Sequence, residues 1–298
     1  MAIPQIHSRG ATFSRIAAGA WRLAEWGWTP AERLGWIEAC LDLGITTFDH
    51  ADIYGGYTVE TLFGEALALK PSLRQRLQIV GKCGIKLVSP QRPAHAIKHY
   101  DTSAAHVVAS VEQSLQALRT DHLDVLLIHR PDALMDAVEL AEAFTRLRSA
   151  GKVLHFGVSN HLPHQLALLD AHIPLVTNQV QCSPLHLDPL HDGTFDQAQT
   201  LGMAPMIWSP LAGGRLFTGT DEAALRVRTE LQALADGWGA TPEAVAVAWL
   251  LRHPARPVPV LGSRRMGTYE QAAAALQLPM DRESWWRLWT AGAGRRVA

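Results

Sequence analysis

The chain has 298 residues, with 27 Lys and Arg against 28 Asp and Glu, so its net charge is −1. That balance provides no long-range field to draw in nucleic acid or an anionic membrane surface. Hydrophobic residues make up 48 %, an ordinary globular fraction, and no apolar run reaches the roughly 18 residues of a membrane span.

From end to end, apolar runs of strand length alternate with stretches of helical period. The first run, 16–21, is followed by Thr29-Pro30-Ala31-Glu32, a capping box with proline at the first helical position. This predicts a helix over 30–43, with Gly44 where a left-handed cap is needed. A strand at 45–49, a helix at 58–69 and a strand at 77–82 come next. In the helix predicted over 104–119, Val107, Val108, Val111, Leu115 and Leu118 recur at helical spacing. Strands at 124–128, 153–158 and 176–180 alternate with helices at 136–150, 162–170 and 190–201. The strand at 204–208 leads to helices at 222–236 and 242–252, the second opened by Thr241-Pro242 and followed by Pro254. A strand at 257–261 and a helix at 267–277 complete the series.

That makes eight strands, each followed by a helix. Short runs such as VLLI and IVG suit strands buried on both faces of a parallel sheet. The α/β pattern predicts a closed (β/α)8 TIM barrel rather than a doubly wound open sheet. No linker, low-complexity tract or charge block divides 1–298, so one domain is expected.

Polar groups of complementary chemistry fall at the ends of successive runs. Asp49 ends the second, Lys82 the third and His129 the fourth, and Tyr54 lies just beyond Asp49 in GITTFDHADIYG. Barrel enzymes keep their catalytic side chains at that end. A phenol with an ordinary pKa near ~10 is a poor proton donor and acceptor at neutrality. A neighbouring ammonium lowers that pKa, so Lys82 is expected to tune Tyr54, with Asp49 holding Lys82 charged. His129 would orient a carbonyl oxygen. A polarised carbonyl needs a hydride, which implies a nicotinamide cofactor. Taken singly, each residue has a structural reading: a loop-capping acid, a packed aromatic, a surface lysine or a satisfied histidine. Their placement together is what points to chemistry.

GITTFDHADIYG, VGKCG, LLIHRPD, GVSN, TNQVQ, WSPLAGG and VLGS occur in one order over nearly the whole chain. In that order and approximate spacing the sequence resembles the aldo-keto reductases. The length of the 83–103 loop and the WSPL form look more like the branch with bacterial oxidoreductases and potassium-channel β subunits. The resemblance implies NAD(P)H-dependent reduction of aldehydes and ketones, with Asp49, Tyr54, Lys82 and His129 as the catalytic tetrad. It also implies that Ser159, Asn160 and Gln179 hydrogen-bond the nicotinamide carboxamide, where Asn and Gln offer both donor and acceptor. Trp208 would stack on the nicotinamide, and Ser209, Pro210, Leu211, Ala212 and Gly213 would follow the pyrophosphate. Gly262 and Ser263 of VLGS would lie at the adenosine end. The family often carries an arginine five residues past that serine, and Thr268 stands there instead. Arg264 and Arg265 are the substitutes for gripping a 2′-phosphate, favouring NADPH, with NADH as the alternative. No G-x-G-x-x-G unit supports a Rossmann site.

The substrate mouth is expected from the loops 21–29, 84–103 and 183–189, with Trp21, Trp26 and Trp28 as an apolar wall for a small-molecule carbonyl. Lys86, Arg92, His95, Lys98 and His99 make the second loop basic, which reads first as a solvated surface and second as anion binding. His50 should diverge from Asp49 because alternate strand residues face opposite ways, so no metal site is expected. Two other functions compete: a cofactor-binding regulatory subunit with little turnover, and an aldolase using Lys82 as a Schiff base. The three scattered cysteines and the absence of a signal-peptide pattern point to the cytoplasm, and a monomer is the default expectation.

Overall fold

A computed structural model describes residues 2–298. The chain opens with an antiparallel hairpin, β1 (Gln5–Ser8) and β2 (Ala11–Ser14). The repeating units follow: β3 (Ala17–Gly19), α1 (Pro30–Asp42), β4 (Thr47–Asp49), α2 (Val59–Leu69) and β5 (Gln78–Cys83). A second small hairpin, β6 (Ile85–Lys86) with β7 (His99–Tyr100), stands between β5 and α3 (Ala104–Leu118). Next are β8 (Leu123–Ile128), α4 (Ala137–Ser149), β9 (Val153–Ser159), α5 (Pro163–Asp170), β10 (Leu175–Gln181), α6 (Thr194–Thr200) and β11 (Met206–Trp208). The seventh unit holds three helices, α7 (Arg215–Thr218), α8 (Glu222–Trp238) and α9 (Pro242–Leu251). The chain closes with β12 (Val258–Leu261), α10 (Met266–Ala274) and α11 (Arg282–Ala293).

Eight parallel strands close into a barrel in the order β10-β11-β12-β3-β4-β5-β8-β9. The expected strands and their helices are all present. The elements beyond that expectation are the two hairpins, α7 and α11. The capping box at Thr29 is formed, with its side chain accepting from Glu32 N and the Glu32 carboxylate accepting from Thr29 N.

Two apolar layers result from the strand pleat. Val80, Val125, Leu127, Met206, Val258 and Val260 fill the barrel interior together with Ile6, Ala11 and Phe13 of the N-terminal hairpin. The hairpin therefore plugs the barrel at the N-terminal ends of its strands. The larger layer lies between strands and helices. Residues two apart share a face, so the row that gives Val80 to the interior gives Lys82 above it, and Val125 and Leu127 lead to His129. In β10 the pairing with β9 shifts register between Leu175 and Asn178. That irregularity lets Val176 and Gln179, three apart, both face inward.

The C-terminal tryptophans are packing groups. The rings of Trp249 and Trp285 stack at 5.1 Å and 10°. Each indole N–H donates to the other's carbonyl, at 3.0 and 3.1 Å. This clasp fastens α11 across the end of α9.

Gly64 lies inside α2 where the helix crosses α3. A Cβ there would sit 2.1 Å from the Ala117 carbonyl oxygen. Helix propensity favours alanine by at most about 1 kcal/mol, which a backbone overlap of that depth exceeds. Gly64→Ala should therefore lower the urea midpoint of unfolding with an unchanged denaturant slope.

Candidate active site

At the C-terminal ends of the strands lies a cavity of about 710 Å³, within the range of small-molecule sites. Asp49, Tyr54 and His129 line it, and Lys82 lies beneath with its side chain fully buried. Lys82 Nζ donates to both oxygens of Asp49, at 2.7 and 2.8 Å, to the His50 carbonyl at 2.9 Å and to Tyr54 Oη at 3.0 Å. Gln179 Nε2 donates to the same carboxylate at 2.7 Å. The four strand-end residues are thus brought together, with Tyr54 and His129 ring to ring at 5.9 Å and 78°.

Charge and burial act against each other here. Burial pulls the Lys82 pKa down, but Asp49 and Tyr54 pull it up by more, so the ammonium keeps its proton. Tyr54 departs from the sequence expectation: its pKa lies above the ordinary 10. Burial is the largest cause, and Asp49 offsets part of the attraction from Lys82. At neutral pH the phenol is a proton donor. Because its oxygen accepts from Lys82, its own O–H is free for the cavity. Burial, followed by the charges of Lys82, Arg130 and Lys98, holds His129 well below the ordinary histidine range, so its ring is neutral. His129 Nδ1 is buried without a partner.

His50 turns to the opposite face, its ring edge-on to Phe63 at 4.3 Å. Burial holds its pKa at about 3, so it is a neutral packing group.

The sequence-predicted cofactor positions line the cavity in a continuous run: Ser159, Asn160, Gln179, Trp208, Ser209, Pro210, Leu211, Gly213, Gly262, Ser263 and Arg265. Ala212 and Arg264 lie outside that lining. Asn160 has φ 59°. Its amide nitrogen donates to Ser159 Oγ at 2.8 Å and its Oδ1 accepts from Trp208 Nε1 at 2.9 Å. Ser209 and Ala212 also have left-handed backbones, φ 50° and 51°, a conformation costing a non-glycine residue about 1–2 kcal/mol. Two of these residues, Asn160 and Ser209, lie in the cavity wall itself, and such clustering of strained backbone accompanies functional sites. Gly213 and Gly214 continue the left-handed bend and face open space where a Cβ would lie, so a bound group can come close to the backbone there. The donor set and contour fit a nicotinamide dinucleotide. Thr268 lines the cavity too, bonded to Ser263 Oγ at 3.0 Å.

On the substrate side the tryptophans divide. Trp21 lines the cavity and is half exposed. Trp26 and Trp28 do not line it: they pack on each other at 4.6 Å, with Trp26 edge-on to Trp36. The 183–189 loop is not in the lining either, since it seats α11, whose Gly292 meets the Pro184 carbonyl. Ile85, Leu87, Lys98 and Tyr100 of the β5–α3 segment line the mouth. Arg22, Arg130 and Glu243, which the sequence reading did not single out, also line the cavity. Arg130 directly follows His129, so its position past a strand end was the available signal.

A model of the Aldo/keto reductase family matches residues 15–291. The chain is 51% identical over 285 residues, 95% of each chain, to the uncharacterized oxidoreductase YcsN of Bacillus subtilis (strain 168). It is 46% identical over 288 residues, 96% of each chain, to a 6-dehydroglucose reductase of Agrobacterium fabrum. In fold it is similar to the glycerol dehydrogenase of Gluconobacter oxydans, with a TM-score of 0.85, 24% identity and coverage of 100% of this chain and 98% of the other. No helix among the described residues is long and apolar enough to cross a membrane.

Behind the tetrad, Glu60 is buried with one carboxyl oxygen unpartnered. Burial lifts its pKa from the ordinary 4.5 to about 7. The folded state therefore binds the proton more tightly, so its contribution is complete below 4.5 and lost as pH rises through 7. The loss is on the order of 3 kcal/mol. Glu60→Gln should flatten stability against pH between about pH 5 and about pH 8 and raise it at the alkaline end, as read by urea unfolding.

The fold, the gathered tetrad and the matches over nearly the full length make one conclusion: this chain belongs to the aldo/keto reductase family and is an oxidoreductase.

Proposed function

We propose that the protein reduces an aldehyde or ketone to an alcohol, using NADPH. The observation that carries this reading is the Lys82 ammonium, buried and bonded to Asp49 and to the hydroxyl of Tyr54. Trp208, Ser159, Asn160 and Gln179 would hold a reduced nicotinamide, whose chemistry when bound would be to supply hydride to the carbonyl carbon. Tyr54 gives its proton to the carbonyl oxygen, and Lys82 stabilises the phenolate left behind. His129, held neutral, donates its ring N–H to that oxygen without adding charge. Solvent entering the open mouth restores the Tyr54 proton after the alcohol leaves.

Arg265 at the far end of the cavity, assisted by Ser263 and Thr268, supports NADPH over NADH because a guanidinium pairs with a 2′-phosphate. The similarity to a 6-dehydroglucose reductase makes a sugar aldehyde a first substrate to assay. The intact tetrad favours turnover over a purely regulatory role. Three free, buried cysteines fit a reducing compartment such as the cytoplasm, and nothing in this mechanism needs a second subunit.

With an aldehyde present, the wild type should oxidise NADPH, with kcat/KM higher than for NADH. Tyr54→Phe should lower kcat by roughly 10²–10⁴-fold while Trp208 fluorescence still reports NADPH binding. Retention of kcat within about tenfold, 1.4 kcal/mol in the barrier, would remove Tyr54 from the proton-donor role.

A further inference from the structure

The reactive end of the cavity carries more positive charge than carbonyl reduction requires. Lys98 and Arg130 both line it. Both lie close enough to act electrostatically on His129, so they stand on the side of the cavity where the carbonyl must sit. Arg130 places its guanidinium carbon 5.8 Å from the Trp208 ring centre, a cation–π contact that uses none of its N–H donors in a hydrogen bond.

The neighbouring basic groups of the same segment are already used. Lys86 pairs with Asp101 at 2.7 Å. Arg92 lies over Tyr57 at 4.5 Å and donates to Gln113 at 2.6 Å. His95 bonds to the Leu87 carbonyl at 2.9 Å. Among the described residues, neither Lys98 nor Arg130 takes part in an ion pair or a side-chain hydrogen bond. Carboxylates do not balance them. Of the two that line the cavity, Asp49 is saturated by Lys82 and Gln179, and Glu243 stands at the start of α9, on the side of α10, the helix that carries Thr268. Two unpaired cations beside a neutral histidine, with no free carboxylate at that end, form a receptor for an anion.

We propose that Lys98 and Arg130 select carbonyl substrates that carry an anionic oxygen group a few bonds from the reacting carbon. The proposal rests on the reading of Tyr54 as the proton donor and deepens it to a substrate class. Arg130 is the geometric partner, able to meet two oxygens at once. Lys98, exposed at the mouth, attracts the anion and closes over it.

The test compares neutral and anionic partners of like shape with NADPH at low ionic strength: butanal with 4-oxobutanoate, and glyceraldehyde with glyceraldehyde 3-phosphate. The expected result is a kcat/KM at least about tenfold higher for an anionic partner, an advantage that shrinks as salt is added. An advantage in the first pair identifies a carboxylate as the preferred anion, and one in the second pair a phosphate. In Lys98→Met and in Arg130→Met the ratio of anionic to neutral kcat/KM should fall toward unity, with the loss appearing in KM rather than in kcat. Reduction of the neutral aldehydes with no anionic advantage, or an advantage untouched by both substitutions, overturns the inference and leaves the reductase reading standing. Reduction of none of the four overturns both.

Discussion

The ion pair between Lys82 and Asp49 is the constraint on which the rest of the site depends. An ammonium with no solvent exposure is tolerated only when its donors are satisfied and its charge is balanced. Asp49 balances it, and the His50 carbonyl and Tyr54 hydroxyl take its remaining donors. Every partner comes from β4 or the turn after it, so β5 and the β4 turn must keep one register for the charge to be housed at all. The parallel pairing of Asp49 with Val80 sets that register.

The same pair decides the chemistry of Tyr54. A lone ammonium at 3.0 Å would pull a phenol toward phenolate. Asp49 cancels much of that pull, and burial carries the pKa the other way. The outcome is a protonated acid with its ammonium already in place. That state suits reduction, where the proton is given. The barrel supports it from below: the N-terminal hairpin closes the interior with Ile6 and Phe13, keeping water from the buried charges on that side.

Much of this was legible in the sequence. Strand-length apolar runs ending in Asp49, Lys82 and His129 named both the barrel and the open end of it. The pleat separated His50 from Asp49 without any coordinates. The N-terminal hairpin was passed over because its strands are short and its turn, Arg9-Gly10, lacks the Asn-Gly or Asp-Gly signal. The helix Arg282–Ala293 lies beyond the last predicted element, since it follows the eighth strand-helix unit and repeats no part of the pattern. Tyr54 illustrates a deeper limit. The residues at hand in the sequence were Lys82 and Asp49, but the dominant influence, desolvation, belongs to the assembled fold. Trp26 and Trp28 show the same limit: adjacency to Trp21 in the chain did not carry them to the cavity, because Trp36 offered an apolar surface on α1.

The claim that burial and Asp49 together keep Tyr54 protonated beside an ammonium can be measured directly. Tyrosinate absorbance followed against pH, taken as the difference between wild type and Tyr54→Phe, isolates this phenol from the other three tyrosines. The structure predicts that the difference signal develops only above the ordinary tyrosine value of 10. A difference signal that develops near neutrality would show that Lys82 prevails over burial and would contradict the account.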